Sequence, residues 1–245
     1  MNKTIGAIIL AAGKGTRMKS KQINKVALHL ADKPMILHTV EFLKDNNIKN
    51  IVVVVGFAKE SVMKLLDGGV IFAEQKQRLG TAHAVSTAIK KLSGEVKEVL
   101  VLNGDDSAFY TSEIINKLVN KHIKDQAAFT FLTIKKNNPL GLGRVVRDSK
   151  GKVLAVVEEK DATKAQRKIT EVNPACYIFK VSFLKKYLKK VKKSPITGEY
   201  YLTSLIDLGI KNYEKIETLA AGNLLWRGVN TQEELLEAQK LIKKN

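Results

Sequence analysis

Apolar runs and polar intervals alternate regularly along the first half of the chain. Residues 5–10 (IGAIIL) form an unbroken apolar run, which reads as a strand buried on both faces. Residues 51–55, an isoleucine and four valines, read the same way. Between them, residues 34–46 set Ile36, Val40 and Leu43 at helical spacing behind Pro34, which predicts a helix. The rhythm continues with a helix near 59–66, a short strand at 70–73 and a helix over 81–92 with Ala84, Ala88 and Leu92 on one side. A strand at 99–102 and a helix over 112–124 follow. This alternation predicts an α/β fold: a Rossmann-like, mostly parallel mixed sheet flanked by helices. Ligands of such sheets bind beyond the carboxyl ends of the strands.

The second half changes character. Strands are predicted at 128–134, 144–147, 153–157, 172–179 and 216–220. Asp148-Ser149-Lys150-Gly151 marks a hairpin turn between the second and third of these. Helices are predicted over 181–191 and 200–210 and from Thr231 onward, where Glu234 completes a capping box. Strands inserted in this way predict a lobe built over an α/β nucleotide site. No linker, repeat or low-complexity segment interrupts residues 1–245, so a single domain with two lobes is expected.

Composition narrows the class. At 245 residues and 44% hydrophobic, the chain supports a sizeable core. No apolar stretch approaches the roughly 20 residues of a membrane span. The first four residues lead straight into a strand, so no signal peptide is expected. A lone cysteine, Cys176, sits in an apolar run and reads as a core residue; a cytoplasmic protein is expected. The net charge of +18 invites a nucleic-acid partner, but only six of the 42 basic residues are arginines, the type that reads bases bidentately. The densest lysine run, residues 185–193, interleaves Leu184, Tyr187, Leu188 and Val191 at helical spacing, as a solvated helix face does. Neither a specific nucleic-acid partner nor a membrane is expected, only nonspecific polyanion binding at low salt.

The richest chemistry follows the first strand: Leu10-Ala11-Ala12-Gly13-Lys14-Gly15-Thr16-Arg17-Met18, with Lys25 beyond. A strand that breaks into a glycine-rich loop offers bare backbone N–H groups to a polyphosphate. Lys14, Arg17 and Lys25 add three cations. A Walker loop needs Ser or Thr after its lysine, where Gly15 stands. The dinucleotide fingerprint needs a third glycine where Met18 stands. A nucleoside triphosphate is the simplest ligand for what remains.

Asp105, after Gly104 at the end of a buried strand, is a magnesium candidate; the same Gly-Asp pair also suits a turn that caps the next helix. Gly80-Thr81 opens a helix after Glu74-Gln75, where anions, a base or a ribose are favoured, while His83 reads as an ordinary helix-face histidine. Glu158 and Glu159 close the hairpin, Gly198–Thr203 brings aromatic and hydroxyl groups to a helix start, and Gly228-Val229-Asn230 precedes the last helix.

In order along the chain stand LAAGKGTRM at 10–18, Lys25, LGTAHA at 79–84, GD at 104–105, GLGR at 141–144, VEEKDAT at 157–163, VN at 172–173, GEYYLT at 198–203 and GVN at 228–230. Together they resemble the uridylyltransferase half of bacterial N-acetylglucosamine-1-phosphate uridylyltransferases, within the sugar-phosphate nucleotidyltransferases. The resemblance spans essentially the whole chain, and no hexapeptide repeat of the acetyltransferase half follows. It implies the nucleotide-diphospho-sugar transferase fold, with a nucleotide-binding lobe at about 1–125, a sugar-phosphate-binding lobe at about 126–225, and a metal-ligand turn and helix at 226–245. It implies that Leu10, Ala12, Gly13 and Lys14 hold the nucleotide, and that Gln75, Gly80 and Thr81 read the uracil. Asp105 and Asn230 would bind Mg²⁺, with Arg17 and Lys25 on the triphosphate. Gly141, Glu158, Asn173, Tyr201 and Thr203 would hold the amino-sugar phosphate. The implied substrates are UTP and N-acetylglucosamine 1-phosphate, and the implied reaction is uridylyl transfer with release of pyrophosphate. Another sugar 1-phosphate such as glucose 1-phosphate, another nucleotide, or a non-catalytic sugar-nucleotide-binding or polyanion-binding protein are the alternatives. The β-helix that makes the fused relatives trimeric has no counterpart here, so a monomer is expected.

The chain departs from the family pattern in places. Asn24 stands where a proline usually precedes the second lysine, in a loop one residue longer, and Arg78 stands where glutamine is frequent. Gly-Asp is followed by Asp106-Ser107-Ala108 in place of x-Pro-Leu, Asn173 by Pro174-Ala175 in place of Thr-Gly, and Thr203 by Ser204 in place of Asp. Two of these five departures, after Asn173 and after Thr203, fall at the sugar end.

Overall fold

The computed structural model describes residues 4–15, 18, 22–66, 68–222 and 224–242. The first half contains β1 (Ile5–Ala11), a short hairpin of β2 (His29–Leu30) and β3 (Lys33–Pro34), α1 (Met35–Asp45), β4 (Asn50–Val55), α2 (Lys59–Met63), β5 (Ile71–Glu74), α3 (Thr81–Ala88), β6 (Glu98–Asn103) and α4 (Ser112–Lys124). The second half contains β7 (Phe129–Lys135), β8 (Gly143–Arg147), β9 (Val153–Val157), β10 (Glu171–Asn173), β11 (Tyr177–Lys180), α5 (Val181–Tyr187), α6 (Ser204–Lys211), β12 (Ile216–Ala220) and α7 (Gln232–Ile242).

One mixed sheet runs through both halves in the order β5-β4-β1-β6-β11-β7-β10-β8-β9, with β12 on β7. The β5, β4, β1 and β6 strands are parallel, as the alternating pattern predicts. Because β-strand side chains alternate between faces, these strands divide their apolar residues between two cores. Ile9, Val53 and Leu102 face one core with Met35 and Leu43 of α1 and Leu118 of α4. Ile8, Val52 and Val101 face the other with Val85 of α3, Leu184 of α5 and Leu205 of α6. A sheet covered on both faces explains why its strands read as continuous apolar runs rather than as alternating ones.

Two predicted elements are corrected. The strand expected over 172–179 is two strands, β10 and β11. Val172 faces Ile134 and Tyr177 faces Phe131, so five steps on this side oppose three on β7 and two extra residues bulge out. Pro174, which lacks an N–H, and Ala175, at φ 60°, lie in that bulge. The helix expected from residue 200 begins at Ser204. Its expected first turn is engaged elsewhere: Tyr200 N donates to Leu79 O and Tyr200 O accepts from Ala82 N, at 2.8 and 2.9 Å. The helices expected over 81–92 and 181–191 end earlier, at Ala88 and Tyr187, each continuing as a short 3-10 turn. No helix among the described residues is long and apolar enough to cross a membrane.

Candidate functional site

The carboxyl ends of four strands lie at one level. Ala11 pairs with Val55, Val55 with Glu74 and Leu10 with Asn103. The loops after β1, β4, β5 and β6 therefore open on the same side. From β1 the chain builds outward through β4 to β5, then crosses back to β6 on the other flank of β1. The gap between β1 and β6 is the switch point at which such sheets hold ligands. A cavity of about 490 Å³ lies there, lined by Leu10, Ala12, Gly13, Lys14, Lys25, Gln75, Gly80, Thr81, Asp105 and Asn230, and by Asn24, Arg78, Asn103 and Glu199. Arg17 lies outside the described residues.

Gly13 is exposed, and among the described residues, its chain neighbours aside, no atom lies within 4 Å of where a Cβ would project. Gly15 has φ +57° and packs on the Lys25 stem, whose Cβ would lie 3.0 Å from an added Cβ. Asn24 ties this loop down. It is 1% exposed, and its Nδ2 donates to Ala11 O (2.9 Å), Gly13 O (3.3 Å) and Phe57 O (2.8 Å). Its Oδ1 accepts from Val26 N at 3.1 Å and so caps the 3-10 turn Lys25–Ala27, which carries Lys25. One buried amide thus joins the end of β1, the loop after β4 and the segment bearing Lys25.

Lys25 in turn gathers the two metal candidates. Its Nζ forms an ion pair with Asp105 Oδ2 and donates to Asn230 Oδ1 at 3.0 Å. Asp105 leaves β6 through Gly104, where a Cβ would approach Val26 and Ile36 to 3.1 and 3.2 Å. Asn230 is set by the capping box of α7: Glu234 Oε2 accepts from Asn230 N (2.6 Å) and Thr231 N (3.2 Å), while Thr231 Oγ1 accepts from Glu234 N (3.1 Å). One carboxylate oxygen and one amide oxygen, both aimed at a single cation, form a donor set suited to Mg²⁺ completed by phosphate oxygens. No group of three or more His, Cys, Asp or Glu able to hold a metal occurs among the described residues.

Asp106 turns away from the cavity and is 2% exposed. Its Oδ1 has no hydrogen-bond partner among the described residues, and Asn103 Nδ2 reaches Oδ2 only at 3.5 Å. Burial, reinforced by the neighbouring Asp105 charge, pushes the Asp106 carboxyl well above the usual carboxylate range.

At the opposite wall, buried Gln75 donates from Nε2 to Gly80 O (3.0 Å) and meets His83 Nδ1 (2.9 Å), so His83 orients a cavity residue in addition to lying on a helix. Gly80 has φ +105° and presses on Tyr200, whose backbone O would lie 2.5 Å from an added Cβ. The Thr81 hydroxyl accepts from Leu202 N at 2.8 Å. Residues 79–82 and 200–202 are therefore pinned together.

The five expected sugar-end residues lie outside the lining of the 490 Å³ cavity. Thr203 Oγ1 donates to Glu158 Oε1 at 2.8 Å. Burial raises the Glu158 carboxyl above its ordinary 4.5, an effect opposed by the Thr203 bond. Asn173 donates to the Tyr177 hydroxyl (2.6 Å) and accepts from Ala175 N (2.9 Å). The Tyr201 hydroxyl meets Thr197 Oγ1 (2.7 Å), and Gly141 N donates to Glu159 Oε2 (3.2 Å). Glu158 and Thr203 are brought into contact, whereas the other three engage structural neighbours. Sequence reasoning missed Asn24 as the clamp of the loop and Glu199 as a wall of the cavity; the position of Asn24 directly before Lys25 was the available signal.

The sequence profile of the nucleotidyl transferase family matches residues 6–245. The bifunctional protein GlmU of Caldicellulosiruptor saccharolyticus is 41% identical over 246 residues, covering 99% of this chain and 53% of that protein. GlmU of Staphylococcus saprophyticus is 37% identical over 239 residues, covering 97% and 52%. The chain thus spans about half the length of these curated relatives. A solved structure from Bacillus anthracis, named for glucose-1-phosphate thymidylyltransferase activity and holding a sucrose, superposes with a TM-score of 0.81 at 22% identity, covering 98% of this chain and 96% of that one.

Proposed function

The chain belongs to the nucleotidyl transferase family, and from that premise we propose that it is a uridylyltransferase forming UDP-N-acetylglucosamine and pyrophosphate from UTP and N-acetylglucosamine 1-phosphate. The observation that carries this is the meeting of Lys25, Asp105 and Asn230 beside the glycine loop in one cavity. The GlmU relatives support the substrate pair.

In the proposed reaction an oxygen of the sugar phosphate attacks the α-phosphorus of UTP in line. The new P–O bond forms as the bond from the α-phosphorus to the oxygen that links it to the β-phosphorus breaks, and pyrophosphate leaves with that oxygen and the electron pair. A phosphate monoester is already ionised at neutral pH, so no side chain has to remove a proton. Catalysis is positioning and charge neutralisation. Backbone N–H groups around Gly13 cradle the phosphates, and Lys25 offsets charge on the α-phosphoryl oxygens. Arg17 offsets charge that grows on the leaving pyrophosphate. Gln75, held by His83 and the Gly80 carbonyl, reads the uracil edge. Glu158, Asn173, Tyr201, Thr203 and Gly141 hold the sugar. Asp105 and Asn230 would hold Mg²⁺, which when bound supplies further neutralisation of the phosphates.

Lys25→Ala or Asp105→Ala is expected to lower kcat for this reaction by about a hundredfold or more, the scale of one lost electrostatic contact in a transition state. Near-normal turnover in either variant would remove the assigned roles. A second reading, transfer to another sugar 1-phosphate such as glucose 1-phosphate, draws on the sugar end. There Pro174 and Ala175 replace the family's Thr-Gly, and Ala175 adopts φ 60°.

A further inference from the structure

The two oxygens that would take a divalent cation already hold a cation that belongs to the chain. Lys25 Nζ is ion-paired with Asp105 Oδ2 and lies 3.0 Å from Asn230 Oδ1. The three side chains come from separate segments: the 3-10 turn after the glycine loop, the end of β6 and the turn before α7. Asp105 and Lys25 are mostly shielded, at 13% and 14% side-chain exposure. From this convergence we infer that Lys25 is an exchangeable internal counter-ion. It holds Asp105 and Asn230 while the cavity has no nucleotide, and it leaves them for phosphate oxygens when a metal–nucleotide complex enters.

The inference rests on the reading of this cavity as a magnesium–triphosphate site. Its physical basis is local. An ammonium and a divalent cation on the same two oxygens repel each other at short range and compete for their lone pairs. Lysine carries its charge on a flexible four-carbon stem, so the charge moves without the backbone moving. Here that stem already lies along the glycine loop, with its Cβ and Cδ 3.0 and 3.6 Å from the Cβ position of Gly15. A rotation of the stem thus carries Nζ from Asp105 towards a phosphate seated in the loop. A bare metal ion must break the Lys25–Asp105 pair and leave the ammonium without a partner. A metal that arrives with a triphosphate supplies the replacement partner. Metal and nucleotide therefore bind with positive coupling, and the coupling is reciprocal. The same pair keeps two buried-side oxygens from repelling each other in the empty cavity, so the site stays assembled between turnovers.

The test is Mn²⁺ binding to the full chain without nucleotide, read from the electron paramagnetic resonance signal of the free ion. Lys25→Met is expected to bind Mn²⁺ at least about tenfold more tightly than the native protein, the low end for a lost charge-assisted hydrogen bond. Lys25→Gln guards against misfolding of the first variant and is expected to behave alike. The gain should vanish in Lys25→Met/Asp105→Asn. Lys14→Met, which removes a cation from the same cavity wall without touching Asp105, should stay near the native value. Equal Mn²⁺ affinity in Lys25→Met and native protein, with Asp105→Asn still weakening it, overturns the exchange and leaves the metal site standing. An equal gain in Lys14→Met also overturns it, because general charge would then be the cause. Mn²⁺ binding that depends on Asp105 in no variant removes the metal site itself, and the inference with it.

Discussion

Asn24 shows how one side chain sets the geometry of a glycine-rich loop. Its amide reaches three backbone carbonyls and caps the turn that carries Lys25. Asn24→Ala leaves buried acceptors without a donor and is expected to destabilise the protein by about 1–3 kcal/mol, measured by urea unfolding. Because the loop then loosens, the nucleotide KM should rise more than the sugar-phosphate KM. Glu158 makes a separate residue-scale prediction. Its carboxyl titrates above its ordinary 4.5 because burial disfavours the charge. The acid form is favoured by folding, so Glu158 contributes stability that is present below 4.5 and lost as pH rises through the raised value. Binding runs the other way: only the carboxylate accepts from a sugar hydroxyl with both oxygens. The sugar-phosphate KM of the native protein should therefore rise on acidification more steeply than that of Glu158→Gln in a window that opens above 4.5, the variant keeping only the rise that comes from protonation of the substrate's own phosphate. A native profile no steeper than the variant's would detach Glu158 from the sugar. The residues legible in the sequence were those whose neighbours carry the signal. Gly-Asp after a buried strand and Gly-Lys-Gly after another announce Asp105 and Lys14. The role of Asn24 was hidden because its partners are main-chain atoms of Ala11, Gly13 and Phe57, and Phe57 is far away in sequence.

At the scale of elements, the contact between residues 79–82 and 200–202 links the cavity wall formed by Gln75, Gly80 and Thr81 to the segment that carries Tyr201 and Thr203. Gly80 is the point of closest approach, since φ +105° and a Tyr200 carbonyl 2.5 Å from any Cβ both demand glycine. Gly80→Ala is expected to cost about 2 kcal/mol or more of stability and to raise the KM of both substrates together. A change confined to the nucleotide KM would uncouple the two segments. Hydrophobic period located the parallel strands and the helices that cover them, because burial on both faces leaves long apolar runs. It could not locate the break between β10 and β11. Val172 to Phe179 is apolar enough to pass for one strand, and the bulge is visible only in the unequal register against β7. Nor could it place the start of α6, because residues 200–202 give their backbone groups to α3 and its approach instead of to a first helical turn.

Across the whole molecule, one sheet joins the parallel β-α half to the antiparallel half, with two apolar cores on its opposite faces. The strand order puts the glycine loop and Asp105 on adjacent strand ends, and α7 returns to add Asn230. The class of this sheet was legible from the alternation of strands and helices, and the pairing of β12 alongside β7 was not, because strand partners distant in sequence leave no mark on local pattern. This assembly is proposed to transfer a uridylyl group to an amino-sugar phosphate. The most direct measurement is pyrophosphate release with UTP, dTTP and CTP, each against N-acetylglucosamine 1-phosphate, glucose 1-phosphate and related sugar phosphates, with and without a divalent cation. The highest kcat/KM is expected for UTP with N-acetylglucosamine 1-phosphate, and no turnover without the cation. Faster turnover with another pair, or UTP binding with no pyrophosphate released from any pair, would contradict that proposal.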